Sequence, residues 1–167
     1  MRKPVWLFSE GSLKRRNLLG NKGANLCEMT SLGMPVPFGF IITTQTHLEY
    51  QRLRQRIPEG TMEEVKAALL KMEIRQGAEF GNPVNPLLVS VRSGASVSMP
   101  GMMDTLLNLG INDEIVEGLA KLTANPRFAY DTYRRFLQLY GSVVGGKGIN
   151  PYTQILKDYR QQHGLEE

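Results

Sequence analysis

Residues 87–105 of this 167-residue chain bring together residue types whose order suits the handling of a phosphate group. The run Leu87-Leu-Val-Ser-Val91 is apolar and β-branched, the pattern of a buried strand. Arg92 stands where that strand should end, and Ser93, Gly94, Ala95, Ser96, Ser98 and Gly101 follow it. Met103, Asp104 and Thr105 close the stretch. Small residues let backbone N–H groups come close to an anion. A guanidinium adds permanent charge and a planar fork of donors that matches phosphate oxygens. Without further context, an arginine before a small-residue loop also describes a solvated surface turn.

A second candidate is Lys22. Leu18-Leu-Gly-Asn-Lys-Gly23 leads into Ala24–Leu32, where Leu26, Met29 and Leu32 recur at helical spacing and Gly33 stands where helices commonly stop. Lys22 is therefore expected at a helix N-terminus, where the helix end and the ammonium both favour an anion. The plainer alternative is an exposed lysine.

Short strands and helices alternate up to about residue 111, and only helices are expected beyond it. Val5–Phe8 reads as an edge strand and Ser9–Arg16 as a basic connecting loop. Gly39–Ile42 reads as a strand that follows a turn set by Pro35 and Pro37. Thr43 or Thr44 can cap a helix running to about Arg54, with His47 as a surface or satisfied histidine on it. Thr61-Met-Glu-Glu64 has the wording of a capping box for a helix to Gln76, whose apolar stripe is Met62, Val65, Leu69 and Met72. Leu106–Leu109 suits a short strand. Asn112 or Asp113 should start a helix to about Thr123. Phe128–Tyr140 should form another, with a broad aromatic face read as a helix–helix interface. Thr153–Gln162 suggests a last helix. The expected class is α+β, with a small mixed or antiparallel sheet in residues 1–111 and an all-helical part in 112–167.

Composition narrows the classes of function. Hydrophobic residues make up 41% and charged residues 22%, as in a chain with a packed core. Lys and Arg outnumber Asp and Glu by 20 to 16, a mild excess that suits an anionic ligand. The longest basic run is Lys14-Arg15-Arg16, too short for a nucleic-acid groove. A single cysteine, Cys27, rules out an internal disulfide, and two histidines are too few for a zinc site. Cys27 reads as core filling, not as a nucleophile. No apolar stretch approaches the ~20 residues of a membrane span, so an intracellular, soluble chain is expected.

The wording of three blocks is specific. Val91-Arg-Ser-Gly-Ala95 followed by Ser98-Met-Pro-Gly-Met-Met-Asp-Thr105 resembles the nucleotide-binding region of the pyruvate, phosphate dikinase family. Asn17-Leu-Leu-Gly-Asn-Lys-Gly-Ala-Asn-Leu26 resembles that family's lysine-bearing segment, and Pro126-Arg-Phe-Ala-Tyr-Asp-Thr-Tyr-Arg-Arg-Phe136 one of its helical segments. The three stand in the family's order across about residues 4–145. The resemblance implies an ATP-grasp arrangement, in which two α+β lobes clamp ATP. This chain would supply most of the first lobe and part of a helical insertion. It also implies the family's reaction, the interconversion of ATP, pyruvate and phosphate with AMP, phosphoenolpyruvate and pyrophosphate. The ATP phosphate-binding residues it implies are Lys22, Arg92, Gly101, Met103, Asp104 and Thr105, with Arg92 also catalytic. Asn21 stands where the family commonly has glycine, and asparagine tolerates left-handed backbone better than most residues.

The same resemblance implies ATP with Mg²⁺ as cofactor, with the metal ligands mainly in a second lobe that has no counterpart here. The phosphohistidine domain and pyruvate-binding barrel would likewise be partners outside this chain, in an enzyme that can form homo-oligomers. The isolated chain is thus expected to be inactive, as an excised piece of a longer enzyme or a short reading frame descended from one. The alternatives are a stand-alone nucleotide-binding module, a subunit of a split enzyme, or part of a phosphoenolpyruvate synthase-like enzyme, whose arginine loop is worded differently. Neither nucleic acid nor membrane is an expected partner.

Overall fold

In the computed structural model, residues 3–93, 105–143 and 151–164 are described. They form two compact units: residues 3–77 with Ser93, and residues 78–92 with 105–143 and 151–164. The α+β expectation holds, with two separate two-stranded antiparallel sheets among the described residues, one in each unit.

The first unit runs β1 (Val5–Leu7), α1 (Arg16–Ser31), β2 (Phe40–Ile42), α2 (Thr44–Arg52) and α3 (Thr61–Gln76). β1 and β2 pair antiparallel, Val5 against Ile42 and Leu7 against Phe40. The segment expected as a loop, residues 9–16, instead contains two 3₁₀ turns, Phe8–Glu10 and Leu13–Arg15, and feeds directly into α1. Its apolar Leu13 packs beside the buried Leu19, Ala24 and Cys27 together with Trp6, Phe8, Leu18 and Ile41, which holds the segment against the helix. At the far end of α1, Gly33 has φ 74° and its N–H donates to Thr30 O at 3.1 Å. Met34 N–H reaches Met29 O at 3.0 Å, which completes a Schellman stop.

Thr43 caps α2, its Oγ1 accepting from Thr46 N–H at 3.2 Å. The capping box expected at Thr61 does not form: Gly60 takes the cap position, and Thr61 is the buried first residue of α3. The helix consequently turns Ala68 inward and leaves Met62 exposed.

The second unit runs β3 (Val89–Arg92), β4 (Thr105–Leu109), α4 (Asp113–Thr123), α5 (Pro126–Val143) and α6 (Pro151–His163). Its core is Ile111, Ile115, Val116, Leu119, Ala120, Ala129 and Phe136, with Leu88, Leu106 and Leu109 of the hairpin packed against it. Asn112 starts α4 by accepting from Glu114 N–H at 3.0 Å and Ile115 N–H at 2.8 Å. Asn125 accepts from Phe128 N–H at 3.0 Å, so α5 opens at Pro126, a favoured first helical position, and not at Phe128.

The aromatic face expected on α5 divides. Phe136 is buried and Tyr133 half-buried on the core side, whereas Phe128, Tyr130 and Tyr140 are exposed. Two phenols bind α5 to α4: Tyr133 donates to Asp113 at 2.8 Å, and Tyr130 donates to Glu117. On its own helix, Asp131 accepts from Arg134 at 2.6 Å and pairs with Arg135 at 2.7 Å. The hydrogen bond from Arg134 chiefly holds the Asp131 carboxyl below its usual range. Strands end at Leu109 among the described residues, and the compact units part at Gly77/Ala78.

Candidate functional site

Lys22 sits within α1, but α1 is two helical segments joined at a break. Gly20 has φ 70° and ψ 168°, a conformation outside any helix and open in practice only to glycine. The first segment, Arg16–Leu19, stops there and the second resumes at Asn21. Lys22 therefore lies in the first turn of the second segment, as expected, with its side chain exposed. The left-handed burden falls on Gly20 and not on Asn21, so asparagine at position 21 is no obstacle to the turn. In an uninterrupted helix the N–H groups of Asn21 and Lys22 would donate to the carbonyls of Asn17 and Leu18. The break releases both donors from that pairing, on the same turn as the ammonium.

The turn is held from below. Leu19, Gly20, Gly23 and Ala24 are all buried, and Ile41 of β2 packs where Gly23 has no side chain. A Cβ added at Gly23 would lie 2.9 Å from Ile41 Cδ1. Nearby, Trp6 has Lys3 Nζ 5.3 Å and Arg15 Cζ 4.7 Å from its ring centroid. Lys3 also pairs with Glu10 at 2.8 Å. Desolvation works to raise the Glu10 carboxyl, but hydrogen bonds from Lys3 and from Leu7 N–H outweigh it and hold the group below its usual range. Cys27 is fully buried, and burial pushes its thiol up, so it stays protonated and serves the core.

Arg92 and Thr105 are brought together by the second unit. They are paired residues at the end of the β3–β4 hairpin, one the last residue of β3 and the other the first of β4. Arg92 is exposed and Thr105 half-buried. Both strand ends lead into residues 94–104, so Gly101, Met103 and Asp104 lie outside the described residues.

The strand itself differs from expectation. Leu87 is buried, but Val91 is 48% exposed, and Ser90 and Arg92 are exposed with it. A two-stranded ribbon covers only one face, and here the helices take that face. Between Val89–Leu109 and Val91–Leu106 the register slips, two steps on β3 against three on β4. Asn108 absorbs the extra residue at φ 59°. Reading residues singly missed both this bulge and the role of Gly20. The glycine inside a helical run was the one visible signal for the break.

No group of three or more His, Cys, Asp or Glu side chains among the described residues could hold a metal ion. No described helix is long and apolar enough to cross a membrane.

The AMP/ATP-binding domain of pyruvate phosphate dikinase matches residues 47–142, a span that includes Arg92 and Thr105 but not Lys22. Pyruvate, phosphate dikinase of Clostridium symbiosum is 50% identical over 165 residues, which cover 99% of this chain and 19% of that enzyme. The dikinase of Entamoeba histolytica is 49% identical over 162 residues, 97% of this chain and 18% of the enzyme. That of Giardia intestinalis is 54% identical over 149 residues, 89% and 17% of the two chains. The chain thus spans about a fifth of the length of the curated relatives it matches.

Proposed function

Because the chain belongs to the AMP/ATP-binding domain family of pyruvate phosphate dikinase, we propose that it binds the phosphates of ATP as one part of a dikinase. The overall reaction would convert ATP, pyruvate and phosphate to AMP, phosphoenolpyruvate and pyrophosphate. Phosphoryl transfer of this kind depends on fixed cations that follow the charge of the transferring group. Lys22 is the phosphate clamp, offering its ammonium beside N–H groups released by the Gly20 break. Arg92 stabilises phosphate charge as it develops. Thr105, its neighbour across the hairpin, leads into Gly101–Asp104, which supply backbone donors over the phosphates. Met103 and Asp104 belong to that loop, and residues 1–111 act as a first ATP-grasp lobe followed by a helical part at 112–167. Mg²⁺ arrives with ATP and takes its protein ligands elsewhere in the enzyme, as do the phosphohistidine and pyruvate steps. The setting is intracellular, and the chain alone turns over no substrate.

The observation that carries this reading is the break at Gly20, which puts an exposed lysine in the first turn of a new helical segment. Calorimetry of Mg·ATP with this chain tests it. Weak binding is expected, and Lys22→Ala or Arg92→Ala should each reduce it by roughly tenfold or more, the worth of one charge-assisted hydrogen bond. Binding that ignores both substitutions would overturn the reading. In a complete dikinase, Arg92→Ala should impair the ATP half-reaction and leave the pyruvate half-reaction largely intact. Equal loss of both would remove Arg92 from its role.

A further inference from the structure

We propose that Thr44, the first residue of α2, is a positioning residue for Lys22. Its hydroxyl holds the two carbonyls that the Gly20 break deprives of helical partners. Thr44 Oγ1 lies 2.6 Å from Asn17 O and 3.3 Å from Leu18 O. These are the carbonyls that would accept from Asn21 and Lys22 N–H if α1 ran unbroken. A hydroxyl carries one proton, so Thr44 shares it between the two, strongest toward Asn17. The interaction favours the broken conformation over a straight helix: the carbonyls have a donor, and the N–H groups of the Lys22 turn stay available to an anion.

Thr44 is itself firmly placed. Thr43 N–H donates to Pro4 O at 3.0 Å, and Thr46 Oγ1 reaches the same carbonyl at 3.4 Å. Thr43 is 1% exposed, and its Oγ1 accepts from Thr46 N–H. The start of α2 is thereby fixed to the residue before β1, and Thr44 extends that anchor to α1. Ile41 supports the same turn through Gly23. Neither contact involves the Lys22 side chain, so Thr44 acts only through the direction in which the Lys22 turn points.

The role rests on Lys22 being a phosphate ligand, and one set of measurements separates the two claims. Amide exchange at residues 21–24 is followed by NMR in the 167-residue chain, with Ile115 and Val116 of the other unit as reference. Thr44→Val keeps the shape and removes the donor, Thr44→Ser keeps the donor, and Thr44→Ala replaces the valine variant should that not fold. Thr44→Val should slow exchange at residues 21 and 22 by roughly three- to tenfold, as their N–H groups regain the freed Asn17 and Leu18 carbonyls, the equivalent of one ordinary hydrogen bond, and leave the reference amides unchanged. It should weaken Mg·ATP binding by a similar factor, Thr44→Ser should restore both, and in a Lys22→Ala background it should weaken binding by less. Unchanged exchange at residues 21 and 22 in the folded variant would overturn the proposal. So would an equal loss of affinity with and without Lys22. Should Lys22→Ala leave ATP affinity untouched, the phosphate role of Lys22 fails, while the exchange data still decide whether Thr44 holds the turn.

Discussion

The turn that carries Lys22 is backed by buried residues on α1, by Ile41 of β2 and by the first hydroxyl of α2, and the lysine side chain stands exposed on it. The hairpin end that carries Arg92 has the opposite character, with Ser90, Val91 and Arg92 all exposed and helices behind one face only. The two cations expected to meet phosphate are therefore supported in different ways. Around Lys22 the backbone is ordered by folding, before any ligand arrives. Around Arg92 the strand pairing with Thr105 fixes the backbone, but the guanidinium and its exposed neighbours keep their rotamer freedom, which binding must restrict. A prearranged turn and an adaptable arm make different demands on the sequence, and different substitutions should expose them.

The largest effect should come from removing the support of the first. Leu19→Ala empties a site that is 2% exposed and should destabilise the chain by roughly 2–5 kcal/mol. Urea unfolding followed through Trp6, the one tryptophan and a neighbour of that cluster, measures it directly. A loss well under the lower figure would mean that the turn is not held by its core. Gly20→Ala should come next, at roughly 1–3 kcal/mol, because alanine must adopt φ 70° and ψ 168° or straighten the helix. The same unfolding experiment reads this loss, and a neutral outcome would show that the break is optional. Arg92→Ala should have the smallest effect on stability, within about 0.5 kcal/mol, since an exposed side chain leaves no cavity behind. A larger loss by thermal melting would contradict the open character of the hairpin end and erase the contrast.

Much of the fold was legible because its signals are local. Thr43, Asn112 and Gly33 act at helix ends where their side chains or backbone freedom predict it, since capping involves residues only two to five positions apart. The placement of Lys22 on a first helical turn followed from the same kind of signal. The capping box at Thr61 failed because Gly60 was free to take the cap and Thr61 was worth more to the packing as a buried residue. The apolar run Leu87–Val91 suggests a buried strand, yet burial depends on what covers each face, and among the described residues β4 and the helices cover one of them. The aromatic positions of α5 were expected on one interface; the helix instead divides them, with Phe136 in the core and Phe128 in solvent.

The sequence by itself determined the inventory: an α+β chain, a lysine beside glycines, an arginine at a strand end and most helix boundaries. Each of these follows from residue type and spacings of a few positions. The tertiary structure alone decided which residues support the lysine and what stands beside the arginine. Thr44 lies 26 and 27 residues from the carbonyls it holds, and the partner of Arg92 across the hairpin is Thr105. Such pairings arise when whole elements dock, because the burial of distant apolar faces sets the distances between polar groups that have no contact along the chain.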